Sequence, residues 1–383
     1  MPKNAVGEKF LIFLYVLAIT LSAIHLYRKP VYSMDSLQYM GNALLMEDHD
    51  IVSVHRRVYA EVDRWVPANA RRDLLGHEPG GREDQNRSLQ LRAKNALIYA
   101  EFLPLFAIRP LYNQAIWVLS KTGLGLVRAS IIISLVPYFA IALLLFTWLR
   151  HYAGVLFGTG MALLLMISPP LTDLGRALSS DAIATSIAFA SLYLIFEKHR
   201  LTPGLTLLLA SIFFRTDFVA LAGPVLLVCW LQRRIDFWKM AVLALLAVGS
   251  VLAINHFGGD YGIKMLYYRN FIRVPAAPAE VVVQFTWRDY LLAFRSGLVL
   301  VANSHFLPFL LLGTVGLVER KVRALFGVSL AYVCLHFIIL PNWQERWVAV
   351  FYLASGVCAA AVLQGRRAAL FLDRSHDLAS QSG

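Results

Sequence analysis

The chain is poor in charge. Asp, Glu, Lys and Arg supply 16% of its 383 residues, whereas a soluble globular protein carries about a quarter. That deficit argues against an ordinary soluble domain. Cysteine is scarce as well. Cys229, Cys334 and Cys358 all lie inside apolar runs, where they read as small hydrophobes and say nothing of the redox compartment. No Walker loop, H-E-x-x-H, G-x-S-x-G or C-x-x-C is present, so the common signatures of soluble nucleotide, zinc and serine enzymes are missing. The histidines do not cluster at metal-ligand spacing. "GVLFGTG" (154–160) is a poor dinucleotide match within an apolar run and reads as helix packing.

Apolar residues are plentiful instead, at 58%, with a mean hydropathy of +0.59. Many runs approach the ~20 residues needed to cross hydrocarbon. This predicts an all-α polytopic membrane protein. A membrane β-barrel would show short alternating strands. The net charge of +12 fits Arg and Lys flanking membrane spans, with no nucleic-acid partner implied. The first run, 10–27, follows Lys3 and Lys9, and no small-x-small cleavage site comes after it, so it reads as an uncleaved span.

Spans are expected at 10–27, 126–149, 153–169, 181–196, 240–255, 297–318, 324–340 and 347–364. Residues 202–232 hold two apolar runs split by Arg215-Thr216-Asp217, with Lys198 and Arg200 before them and Arg233 and Arg234 after them. Basic residues favour the cytoplasmic side, which makes this a hairpin of 202–214 and 218–232. About ten spans result, with both termini cytoplasmic. Residues 97–120 are apolar but contain Glu101, Pro104, Arg109 and Pro110. With this segment not crossing, the later inner segments hold 12 Lys/Arg in 39 residues and the later outer ones 8 in 61. A crossing would invert that bias, so 97–120 reads as a membrane-edge element. The first extracytoplasmic loop then runs over 28–125, within a single domain spanning 1–383. Its polar, Gly-rich stretch 70–90 reads as an exposed loop.

In "KPVYSMDSLQYMGNALL" (29–45), Ser33 can cap a helix starting at Met34. Asp35 then sits in the first turn, where the helix dipole favours negative charge. Asp35, Tyr39 and Asn42 share one face. A carboxylate held at the membrane edge suits a general base; it would equally suit a plain first-turn acid. Other ionisable residues gather at outer span ends: Asp173, Asp181, Arg215 with Asp217, His305, and Glu345 with Arg346. Each has a bland reading as a helix-start acid, turn ion pair, interfacial anchor or interhelical hydrogen bonder. Together they lie on the side of Asp35, and ionisable groups at a membrane are functional candidates.

The order of these segments resembles the GT-C superfamily of polytopic glycosyltransferases. A first span is followed by an acid-plus-Tyr stretch (Asp35, Tyr39), then by "IRPLYNQAIWVLSKTG" (108–123), similar to that family's basic-Pro-Leu-Tyr juxtamembrane helix. "VRAS" (127–130) opens the next span. "SSDAIATSIAFASLYLIFEK" (179–198), "FFRTDFVALAGPVLL" (213–227) and "QERWVAVFYLASG" (344–356) resemble the family's acid-led span, Arg-plus-acid turn and late Arg-aromatic segment.

The resemblance implies a polyprenyl-phosphate-linked sugar as donor and a glycan, lipid or protein hydroxyl as acceptor, on the extracytoplasmic side. Asp35 would be the base and Arg109 the phosphate contact. Arg215 and Arg346 would be further candidates for the phosphate, and Asp173 and Asp181 would orient acceptor or base. Tyr39, Asp217, His305 and Glu345 would line the substrate. No cofactor is expected; a divalent metal stays open. Membrane lipids are the other partner, and a bacterial inner membrane is the expected location. The competing readings are a lipid-linked-glycan transporter or flippase, a polysaccharide polymerase or ligase, and a non-catalytic membrane scaffold.

Overall fold

The computed structural model describes residues 5–259 and 261–380, and the side chains of 6–259 and 261–364. Among the described residues the protein is helical and has no strand; a lone parallel bridge joins Val31 to Ala177. After α1 (Ala5–Arg28) come α2 (Met34–Leu44), α3 (Ile51–Trp65), α4 (Ala68–Leu74) and α5 (Glu83–Lys94). Then follow α6 (Ala96–Phe102), α7 (Pro104–Ala107), α8 (Pro110–Leu119), α9 (Leu126–Met166), α10 (Pro169–Arg176), α11 (Asp181–Leu192) and α12 (Leu201–Phe214). The chain continues through α13 (Val219–Leu231), α14 (Phe237–Gly258), α15 (Gly262–Tyr267), α16 (Trp287–Ala302), α17 (Phe306–Thr314), α18 (Arg320–Ile339) and α19 (Ala349–Ser380).

Among the described residues, five helical stretches are long and apolar enough to cross a membrane: Val6–Arg28, Leu126–Met166, Phe237–Gly258, Arg320–Ile339 and Glu345–Gln364. Their outward faces are apolar. Phe10, Phe13 and Leu21 on α1 and Trp238, Leu245 and Phe257 on α14 are exposed. Faces this apolar are unfavourable against water and suit hydrocarbon. The chain is a helical membrane protein.

α9 is the hub, with α1, α11 and α19 packed on it. Tyr15 of α1 stacks on Phe146 at 4.6 Å and donates to the Ala142 carbonyl at 2.6 Å. Two spans were expected at 126–149 and 153–169. They meet at a glycine turn with no polar loop between them. Gly154 has φ 75° and ψ 172°, a conformation essentially reserved for glycine. The chain folds back there, so that a Cβ on Gly158 would lie 2.7 Å from the Arg150 Cα. The expected span 297–318 is a helix pair, Trp287–Ala302 and Phe306–Leu317, bent by 70° at Asn303-Ser304-His305.

Residues 97–120 are cut into α6, α7 and α8, with Pro104 and Pro110 at the first positions of the last two. Each is too short to cross hydrocarbon alone. They wrap α2: Tyr99 Oη donates to the Leu37 carbonyl at 2.6 Å, and Asn42 Nδ2 to the Leu103 carbonyl at 2.9 Å. The polar stretch 70–90 differs from the exposed loop its composition suggests. Asn86 Nδ2 donates to the Glu78 carbonyl, Gln90 Nε2 to the Gly76 carbonyl, and buried Ser88 to the Pro275 carbonyl. The segment after α15 lies over this stretch and ties it down: the Val274 amide donates to Asp84 at 2.7 Å and the Ala279 amide to Glu101 at 3.0 Å.

Candidate functional site

α2 begins at Met34 as its sequence predicts, with Ser33 extended at the cap position (φ −126°, ψ 159°), although the Ser33 side chain makes no cap bond. Asp35 therefore sits in the first turn. Its Oδ1 accepts from Nη2 of Arg269 at 3.1 Å, and that nitrogen also lies 3.5 Å from the Met34 sulfur. Arg269 belongs to a single π turn, Tyr268–Ile272, a local geometry common at functional sites.

Arg269 is not the only cation here. Its guanidinium lies 4.9 Å from the centre of the Phe106 ring, and that of Arg109 lies 6.0 Å from the same ring and 5.3 Å from Tyr39. Arg109 precedes Pro110 at the start of α8, so Pro110 fixes where the arginine leaves the membrane-edge segment. Behind them, fully buried Arg92 stacks on Phe102 at 4.0 Å and reaches the Met34 sulfur at 3.8 Å. Burial, then the neighbouring Arg269, pulls the Arg92 guanidinium down to about 10. Among the described residues neither Arg92 nor Arg109 pairs with a carboxylate. Three guanidiniums thus gather round one carboxylate, Asp35.

A second group lies across Tyr39. This ring is buried and meets Tyr112 edge-on at 4.9 Å. The charges of Arg109, Asp35, Asp181 and Arg215 all bear on the Tyr39 phenol. Beyond it, Asp181 opens α11, and its Oδ1 pairs with Nη1 of Arg215 at the end of α12. Asp181 Oδ2 accepts from Ser179 at 2.8 Å and forms an ion pair with Arg346 at 2.9 Å. Both of its oxygens are thus committed. Arg215 Nε donates to Asp217 at 2.9 Å, and Asp217 Oδ2 lies 2.9 Å from His336 Nε2 on α18. This network joins the start of α11, the end of α12, α18 and the turn before α19.

An apolar cavity of about 210 Å³ lies between the two groups. Asp217 and His336 line one part. Ile108, next to Arg109, and Leu266, three residues before Arg269, line another.

The remaining candidates sit apart. His305 Nδ1 contacts Glu345 at 2.9 Å in a half-exposed pair beside the bend between α16 and α17. Asp173 is exposed and faces Arg176 at 3.6 Å on α10. Sequence reasoning missed Arg269, Arg92 and His336. Arg269 lies in a mixed-polarity segment between apolar helices, and the other two carry no local motif. Among the described residues, no three His, Cys, Asp or Glu side chains converge as a metal site. Comparison with protein families, with curated proteins and with solved structures finds no match for the chain.

Proposed function

We propose that this protein is a membrane glycosyltransferase that moves a sugar from a polyprenyl phosphate to an acceptor hydroxyl on the extracytoplasmic side. The observation that carries this reading is the surplus of cations around Asp35. Arg92, Arg109 and Arg269 outnumber the one carboxylate, and a largely apolar cavity is lined by Ile108, next to Arg109, and by Leu266, three residues before Arg269. Such a place suits an anion attached to a hydrocarbon chain. A guanidinium fork matches phosphate oxygens, and the apolar cavity suits the first isoprene units.

In this reading Asp35 accepts the proton of the acceptor hydroxyl. The acceptor oxygen attacks the anomeric carbon, the bond from that carbon to the phosphate oxygen breaks, and the phosphate departs with the electron pair. Arg109 stabilises the charge it carries away. Asp181, Arg215, Asp217, His336 and Arg346 hold the outer helix ends in register, and Tyr39 and Tyr112 bridge them to the reaction side. The arrangement of about ten spans, with 28–125 outside and both termini inside a bacterial inner membrane, belongs to the same proposal.

Binding of a polyprenyl monophosphate to purified wild-type, Arg109→Lys and Arg109→Ala protein tests it. The expected order of affinity is wild type, then Lys, then Ala, because Lys keeps the charge and loses the fork. Equal affinities would remove Arg109 from the site. The bend between α16 and α17 is the feature that favours a transporter, since broken helices line transport sites. A transporter would move the lipid-linked sugar across vesicles without transferring it.

A further inference from the structure

Arg269 occupies the one carboxylate that the reaction needs. Only Nη2 of its guanidinium is engaged, by Asp35 Oδ1 and the Met34 sulfur. Its Nε and Nη1 have no hydrogen-bond partner among the described residues, and neither has Asp35 Oδ2. The ion pair is therefore half-used on both sides. The side chain of Arg269 is 12% exposed and that of Asp35 32%, so a ligand can reach both.

The backbone that carries Arg269 is held. The Val274 amide on Asp84, Ser88 on the Pro275 carbonyl and the Ala279 amide on Glu101 bind the segment to α5 and α6. Arg269 can then change partner by rotating its side chain, with the segment staying in place. Arg92 stands behind, buried and without a carboxylate, and its charge makes the pocket more attractive to an anion.

Resting on the glycosyltransferase reading, we propose that Arg269 is a positioning residue that masks Asp35 in the donor-free protein and transfers to the donor phosphate when it binds. The donor phosphate is a diester with one negative charge and two free oxygens, which a guanidinium fork takes in a pair, whereas Asp35 engages a single nitrogen of Arg269. The phosphate therefore competes well for a guanidinium whose other nitrogens are already open. The exchange leaves Asp35 free for the acceptor hydroxyl only when a donor is present, which guards against a productive base in an empty site.

The test is carbodiimide labelling of Asp35 in the purified full-length protein, read by peptide mass spectrometry with and without a short-chain polyprenyl monophosphate, the product that keeps the donor's phosphate and lipid. In wild type, labelling rises several-fold on addition of the lipid phosphate. In Arg269→Gln it is high from the start and does not respond. Arg269→Lys, which keeps the charge, restores part of the response. In steady-state transfer, Arg269→Gln raises the donor KM by about tenfold, the weight of one charged hydrogen bond, and lowers kcat far less than loss of Asp35 does. Labelling that stays flat or falls when wild type has demonstrably bound the lipid phosphate overturns the mask and leaves the donor reading standing. So does Arg269→Gln labelling no faster than ligand-free wild type. Failure of wild type to bind the lipid phosphate at all overturns both.

Discussion

His336 Nε2 lies 2.9 Å from Asp217 Oδ2 across 119 residues of sequence. This contact closes the buried ion network from the side of α18. Arg215 is the centre of that network, with two carboxylates on one guanidinium that is 4% exposed. Replacing it by an apolar residue would strand both acids.

Arg215→Met is therefore expected to destabilise the protein by about 3–5 kcal/mol, the usual cost of removing one partner from a buried ion pair. Thermal unfolding in detergent would read this as a large fall in midpoint. A shift corresponding to less than about 1 kcal/mol would mean that the network contributes little.

Much of this network is written locally. Arg215 and Asp217 are two residues apart in an apolar hairpin, and Asp181 opens a helix, so charge placed against hydropathy finds them. The contacts that complete the site are not local. Arg269 reaches Asp35 over 234 residues, and no periodicity encodes that pairing. Asp173 lies at the same membrane edge as Asp181, but α10 turns it toward its own Arg176, and the hydropathy pattern records the edge without the facing. The polar side chains of the stretch 70–90 bond backbone groups, Asn86 and Gln90 within the stretch and Ser88 and Asp84 in a distant segment; composition alone cannot tell that from solvent exposure. The bend at 303–305 leaves only a short polar interruption in an otherwise apolar run.

Glu47 provides a pH test of the segment between α1 and α9. Its carboxylate accepts from Arg57 at 2.7 Å and Trp117 Nε1 at 3.1 Å and pairs with Lys121. The bond to Lys121, then those to Arg57 and Trp117, pulls its pKa from 4.5 to about 2. A carboxylate depressed on folding adds stability at pH above its unfolded value and loses it as pH falls through the folded one. The gap in melting temperature between wild type and Glu47→Gln should be open at neutral pH and narrow as pH drops from 4.5 toward 2. A gap independent of pH would mean that the charge plays no part.

Topology is open to labelling. In the proposed arrangement His151, exposed at the turn before Gly154, lies inside, and exposed Arg87 on α5 lies outside. In a Cys334→Ser background, His151→Cys should react with an impermeant maleimide only after the membrane is opened, and Arg87→Cys should react in intact cells. The reverse pattern would invert the proposed arrangement.

The most direct measurement is the rate of sugar transfer from a polyprenyl-phosphate donor by Asp35→Asn. This variant keeps the shape at the start of α2 and a hydrogen-bond acceptor for Arg269, but it cannot take up the acceptor's proton. Loss of a general base typically costs about 10²–10⁴ in rate. The account predicts a folded protein that still binds the lipid donor and transfers sugar at least ~100-fold more slowly. Transfer at a near wild-type rate would contradict it and leave Asp35 as a first-turn helix acid.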